Sequence, residues 1–98
     1  MRYAAKRDGP EEAIAAALTA DGNPNWPVSD EGHPDRLVWC WRLQRFRLLE
    51  VKAKGGKLRP KQVRFFQTFG AAVELGDVVI VRTVAEALAA VALPHTDR

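Results

Sequence analysis

The stretch Phe46-Arg47-Leu48-Leu49-Glu50-Val51-Lys52-Ala53 decides how the rest of the chain is read. Its apolar content predicts a strand, and a second run, Asp35 to Trp41, predicts a neighbouring one. Side chains alternate along a strand, so Glu50 and Lys52 share one face while Val51 turns to the other. The connection, Arg42 to Arg45, holds no Gly or Asn, so a looser loop is expected than a tight primed turn. With an even loop centred between Leu43 and Gln44, Asp35 falls opposite Lys52 and Leu37 opposite Glu50. Asp35 and Glu50 are then diagonal neighbours with backbones about 7–8 Å apart, within joint reach of one ion. An odd loop would send them to opposite faces.

Downstream, Lys54-Gly55-Gly56-Lys57 is a flexible turn, and Pro60 opens a helix expected to run to about Leu75, with Gly76 as its stop. Phe66, Phe69 and Val73 form its apolar stripe, and Gln62 heads that row one turn earlier. Such a glutamine either meets a polar partner or satisfies nearby backbone. Val78 to Arg82 is a short Val/Ile strand suited to a sheet covered on both faces. Thr83 and Glu86 have capping-box spacing ahead of a last helix with Val84, Leu88 and Val91 on one side.

Upstream, a first helix starts near Pro10, capped by Asp8 or Gly9, with Glu11 and Glu12 at its positive dipole end. Ile14, Ala17 and Leu18 are its apolar stripe, and Asp21-Gly22 ends it. The wheel turns Glu11 toward the buried side and Glu12 outward. Asp21 to Pro34 reads as loop with a short strand at Trp26-Pro27-Val28. Cys40 is expected as a small core residue on the Val38/Val51 face. Trp39 and Trp41 share the Asp35 face, and core beneath the first helix is preferred for them over a base-stacking or dimer surface. His33 is expected to pack locally in its loop. The order is helix, strand, strand, strand, helix, strand, helix: an α/β sandwich.

Ninety-eight residues, 47% apolar and 28% charged, predict one domain over residues 1–98 and argue against disorder. One cysteine rules out an internal disulfide, and with only two histidines a Cys/His zinc cluster lacks ligands. No apolar run spans a bilayer and no signal peptide is visible, so a cytoplasmic location is expected. Charge is segregated. Arg42 to Arg64 carries nine of the fifteen basic residues against one acid, Glu50, for a net +8. The other 75 residues hold six basic and eleven acidic ones, net −5. Such a split suits a polyanion partner at one face, or a solvated basic surface.

Asp35, Glu50 and Lys52 on one face, the last two inside the basic segment, suit phosphodiester hydrolysis. That reaction calls for a hard divalent cation to offset charge on the phosphorus oxygens and to make hydroxide available near neutral pH. Mg²⁺ prefers oxygen ligands, so two carboxylates and a backbone carbonyl suffice. A lysine two residues after one carboxylate projects beside the ion, where it can orient or deprotonate the attacking water.

Gly32-His33-Pro34-Asp35, Leu48-Leu49-Glu50-Val51-Lys52 and Gly56-Lys57-Leu58-Arg59-Pro60-Lys61-Gln62 resemble successive motifs of the VRR-NUC group of the PD-(D/E)XK nuclease superfamily. Val79 to Val84 with Glu86-Ala87-Leu88 resembles its closing strand and helix, and Arg7-Asp8 with Glu11 and Ile14 its opening helix. Arg59 stands where a Ser or Thr cap is expected, and the hairpin lacks a glycine turn.

The resemblance implies a restriction-endonuclease-like three-layer sandwich, a central mixed sheet flanked by helices in the order α-β-β-β-α-β-α. It also implies that Asp35 and Glu50 bind Mg²⁺ or Mn²⁺ with the carbonyl of Val51, and that Lys52 is the catalytic lysine. Gln62 would border the site, and Glu11 would join the metal shell through water. Lys54, Lys57, Arg59, Lys61 and Arg64 are the candidate contacts to the DNA backbone. Small stand-alone relatives, many from phages, resemble homodimeric nucleases of branched or flapped DNA, with no organic cofactor and no membrane. The alternative is a non-catalytic nucleic-acid-binding module or complex subunit on the same fold.

Overall fold

The computed structural model describes residues 9–93. Helix α1 (Glu11–Ala20) is alanine-rich with two acids in its first turn, which favours helix and complements its dipole. Pro10, expected inside that turn, stands before it as the N-cap and offers the helix no side-chain hydrogen bond. Asp8 and the Arg7-Asp8 stretch lie outside the described residues.

Strands β1 (Asn25–Pro27), β2 (Arg36–Cys40) and β3 (Arg45–Val51) follow. Next come helices α2 (Pro60–Thr68) and α3 (Gly70–Glu74), strand β4 (Val78–Val81) and helix α4 (Val84–Ala92). The sheet order is β1-β2-β3-β4, antiparallel up to β3 and parallel between β3 and β4. A parallel neighbour requires a crossover, which α2 and α3 provide. The element order is the expected one, except that the helix predicted from Pro60 to Leu75 is broken. At Phe69 the backbone leaves helical geometry (φ −107°, ψ 40°) and restarts at Gly70, the weakest helix former of the stretch. Its stripe is only partly covered: Phe66 and Val73 are half-buried and Phe69 is exposed.

The hairpin register differs from expectation. Arg36 pairs with Leu49 and Cys40 with Arg45, so the loop is Trp41 to Gln44 and the pairing is displaced by two residues. Gln44 adopts a positive φ of 56° and its amide bonds to the Cys40 carbonyl at 2.7 Å, closing the loop without a glycine. A shift of two keeps every side chain on its expected face.

On one face Val38, Cys40, Leu49, Val51 and Val81 meet Ile14 and Leu18 of α1 and Ala87 and Val91 of α4 in the fully buried core. Cys40 is a core residue as expected. The opposite face carries Leu37, Trp39, Phe46, Leu48 and Glu50 by alternation, under α2 and α3. The two tryptophans do not form core beneath α1. Trp39 stacks edge-on against Phe46, and Trp41 at the hairpin tip is exposed, its indole N–H donating to the Asp21 carbonyl at 2.8 Å. Both lie away from α1's apolar stripe because Val38 and Cys40 already occupy that face.

Candidate active site

β1 ends at Pro27 and β2 begins at Arg36, so Asp35 sits where the chain enters the sheet. Continuing the register one step from Arg36–Leu49 places Asp35 opposite Glu50. Pro34 has no N–H to extend the ladder, and Asp35 takes over with its side chain: Oδ2 accepts the Val51 N–H at 2.8 Å. That bond fixes the Asp35 carboxylate beside the Val51 peptide. Lys52 donates its N–H to Val81 on the β4 side (3.0 Å), so the polar groups of Val51 turn toward β2 and Asp35.

Glu50 and Lys52 follow on the Asp35 face, both buried, with Lys52 Nζ 3.5 Å from Glu50 Oε2. The same Oε2 accepts a 2.8 Å hydrogen bond from Gln62 Nε2, while Gln62 Oε1 accepts the Arg59 N–H at 2.8 Å. Both sequence readings of Gln62 are therefore realised at once. The second bond is the half of a capping box that a glutamine in the first turn can supply. Arg59, a donor only, cannot supply the other half.

Glu50 is 1% exposed, and its Oε1 has no hydrogen-bond partner; among the described residues it is the one buried side-chain polar atom left so. Burial pushes its pKa up to about 8, the Asp35 carboxylate adds to the rise and the Lys52 ammonium opposes it. An orphaned buried carboxylate oxygen beside a second carboxylate is a donor set that fits a hard divalent cation.

Glu11 is buried as the wheel predicts, and its Oε2 is held by Arg36 Nη1 at 3.0 Å. Among the described residues no three His, Cys, Asp or Glu side chains converge into a metal-holding group, so Glu11 does not complete one with Asp35 and Glu50. Arg36 also donates to Asn25 Oδ1 at 3.0 Å, tying α1, β1 and β2 together next to Asp35. Sequence reasoning missed Arg36, although a charged residue in the Val38/Cys40 row needs an acidic partner, and the inward Glu11 was the candidate.

The basic segment divides. Lys54, Lys57, Arg59, Lys61 and Arg64 are exposed along the turn and the start of α2, with Lys61 also meeting Glu31 at 3.2 Å on the open surface. Arg42 and Arg45 are bound to Asp21 and Asp77. Arg47 is buried, bonded to Asp77 and to the carbonyls of Ala90 and Leu93. Acids distant in sequence thus neutralise part of the +8. His33 packs locally on Phe65, with ring centroids 5.1 Å apart. Thr83 Oγ1 accepts the Glu86 N–H at 3.0 Å, but Glu86 returns its bond to the N–H of Arg82 rather than Thr83.

A mixed sheet between helical layers has the element order of a restriction-endonuclease-like fold, and the family to which the chain is matched is one of PD-(D/E)XK nucleases. The VRR-NUC domain family matches residues 5–85, and the chain belongs to that family. Its substrate class is accordingly DNA. Comparison with curated proteins and with solved structures found no match. Among the described residues no helix is long and apolar enough to cross a membrane.

Proposed function

We propose that the chain is a divalent-metal-dependent DNA endonuclease that selects branched, flapped or junction DNA by shape rather than by sequence. The observation that supports this most directly is the unpartnered, buried Oε1 of Glu50 beside Asp35, with Lys52 Nζ 3.5 Å from the other oxygen. Asp35, Glu50 and the Val51 carbonyl would hold Mg²⁺ or Mn²⁺. Once bound, such an ion offsets charge on the scissile phosphate and lowers the pKa of water.

The chain's own groups do the rest. Lys52 presents an ammonium to orient the attacking water and to meet charge growing on the phosphate. Gln62 locks the Glu50 carboxylate in one orientation. Glu11 anchors Arg36, the residue that follows Asp35, and so helps to fix where β2 enters the sheet. Lys54, Lys57, Arg59, Lys61 and Arg64 neutralise backbone phosphates, contacts that set position without reading bases. Selectivity then rests on DNA shape and deformability.

The exposed Phe46, Phe69 and Leu75 support a homodimer, because that apolar surface lies on the less covered side of the sheet. Incubating the purified protein with four-way, flapped and nicked DNA and Mn²⁺ tests the reading. Cleavage by wild type, with loss of at least about a hundredfold in Asp35→Asn and Lys52→Ala, is expected. Salt-sensitive DNA binding that ignores EDTA, with the variants indistinguishable from wild type, would instead establish a non-catalytic binding module.

A further inference from the structure

The turn that joins the catalytic strand to α2 has almost nothing apolar to hold it. Ala53, Lys54, Gly55 and Lys57 are exposed, and Gly56 is half-buried. Gly55 has φ +82°, and the Gly56 N–H bonds to the Ala53 carbonyl at 2.9 Å, so the turn is closed by one internal bond. Its outward restraint comes from across the sheet. Nη1 of Arg82 donates to the Ala53 carbonyl at 2.8 Å and to the Gly56 carbonyl at 2.9 Å.

Arg82 is itself well anchored. It directly follows Val81, the β4 residue that pairs with Val51 and accepts the Lys52 N–H at 3.0 Å. Its own N–H donates to Glu86 Oε1 at 2.7 Å. The turn in its grip touches the active site, because Ala53 is bonded to Lys52 and a Cβ on Gly56 would lie 3.6 Å from Lys52 Cδ. The Gly56 backbone therefore runs beside the lysine stem with room for about one methyl group between them.

We infer that Arg82 is a positioning residue: its forked bond to Ala53 and Gly56 fixes the turn that holds the Lys52 ammonium in place. This rests on the nuclease reading for its catalytic consequence, but its structural half stands alone. Both bonds leave the same Nη1, whose two N–H directions are fixed by the planar guanidinium, whereas a lysine ammonium on a shorter, flexible stem keeps the charge without that reach and fixed geometry. Arg82→Lys therefore separates charge from position.

Amide hydrogen exchange of Gly56 measures the turn directly, with no substrate. Arg82→Lys and Arg82→Ala should each accelerate Gly56 exchange at least tenfold while the amides of β3 keep wild-type protection. Unchanged Gly56 exchange in both overturns the inference, whether or not the protein cleaves DNA. Wild type that cleaves nothing, with Gly56 exchange still accelerated in the variants, fails the nuclease reading and sustains the turn's dependence on Arg82.

In cleavage assays Arg82→Lys should lower kcat about tenfold with KM within about twofold. A raised KM with intact kcat would mean that Arg82 meets DNA itself, and would overturn it. Gly55→Ala, strained at positive φ, loosens the same turn without touching Arg82. Its loss of kcat should not add to that of Arg82→Lys in the double variant. Full additivity would show the two acting separately and would sink the inference.

Discussion

Gln62 binds Glu50 through Nε2 at 2.8 Å and the Arg59 N–H through Oε1 at 2.8 Å, so one amide joins the acid of β3 to the start of α2. A leucine there fits the apolar row but breaks both bonds. It leaves the Arg59 N–H without its partner and Glu50 Oε2 with only the Lys52 ammonium at 3.5 Å. Gln62→Leu should lose roughly 1–3 kcal/mol in urea unfolding despite its greater hydrophobicity. A variant as stable as wild type would contradict the bridging role.

Glu50 makes stability depend on pH in a direction opposite to that of most carboxylates. Its folded pKa of about 8 lies above the ordinary 4.5, so between those values the native state holds a proton that the unfolded chain has released. The native state binds more protons there, and metal-free stability falls as pH rises through that window. Below it the stabilisation is fully present. Glu50→Gln should flatten the profile, and Asp35→Asn, which removes a repelling charge, should reduce it. Thermal melts from pH 4 to 9 in EDTA check this, and a wild-type profile rising with pH would refute it.

The same proton competes with a cation. Mn²⁺ should raise Tm more at pH 8 than at pH 5, and in Asp35→Asn it should raise Tm little at either pH. Calorimetry of wild type and variant decides the point, an equal shift in both arguing against binding by these acids.

The exposed and the engaged basic residues should separate in salt titrations. Lys57→Ala and Arg64→Ala should each lower the log–log salt slope of DNA binding by about 0.9. Arg42→Ala, whose guanidinium is bound to Asp21, should leave it unchanged. Arg47→Ala acts on folding instead. It strips the Ala90 and Leu93 carbonyls of their donor and leaves Asp77 with Arg45 alone, and should cost roughly 2–4 kcal/mol. Fluorescence anisotropy and urea unfolding measure the two effects.

Phe69, exposed at the break between α2 and α3, lines an apolar groove of about 360 Å³ with Leu37, Phe46, Leu48, Phe65 and Val78. If two copies meet on this face, Phe69→Lys should convert a dimer to a monomer in sedimentation velocity. A monomeric wild type at high concentration removes the homodimer.

The element order, the inward tilt of Glu11, the shared face of Glu50 and Lys52 and the place of Gln62 were all legible in the chain. Each follows from a local period, 2 for strands and 3.6 for helices, which neighbouring residues alone express. Asp35 could be put on the same face by parity alone. Its seat opposite Glu50 depended on where the hairpin closed, and that was decided by Gln44 accepting a left-handed conformation that nothing in its residue type announces. Distant acids chose which arginines remain exposed, since Asp21 and Asp77 meet Arg42, Arg45 and Arg47 only after the sheet has formed. Periodicity tells each side chain which way to face, whereas partners brought together from far along the chain determine its charge, its burial and what it can hold.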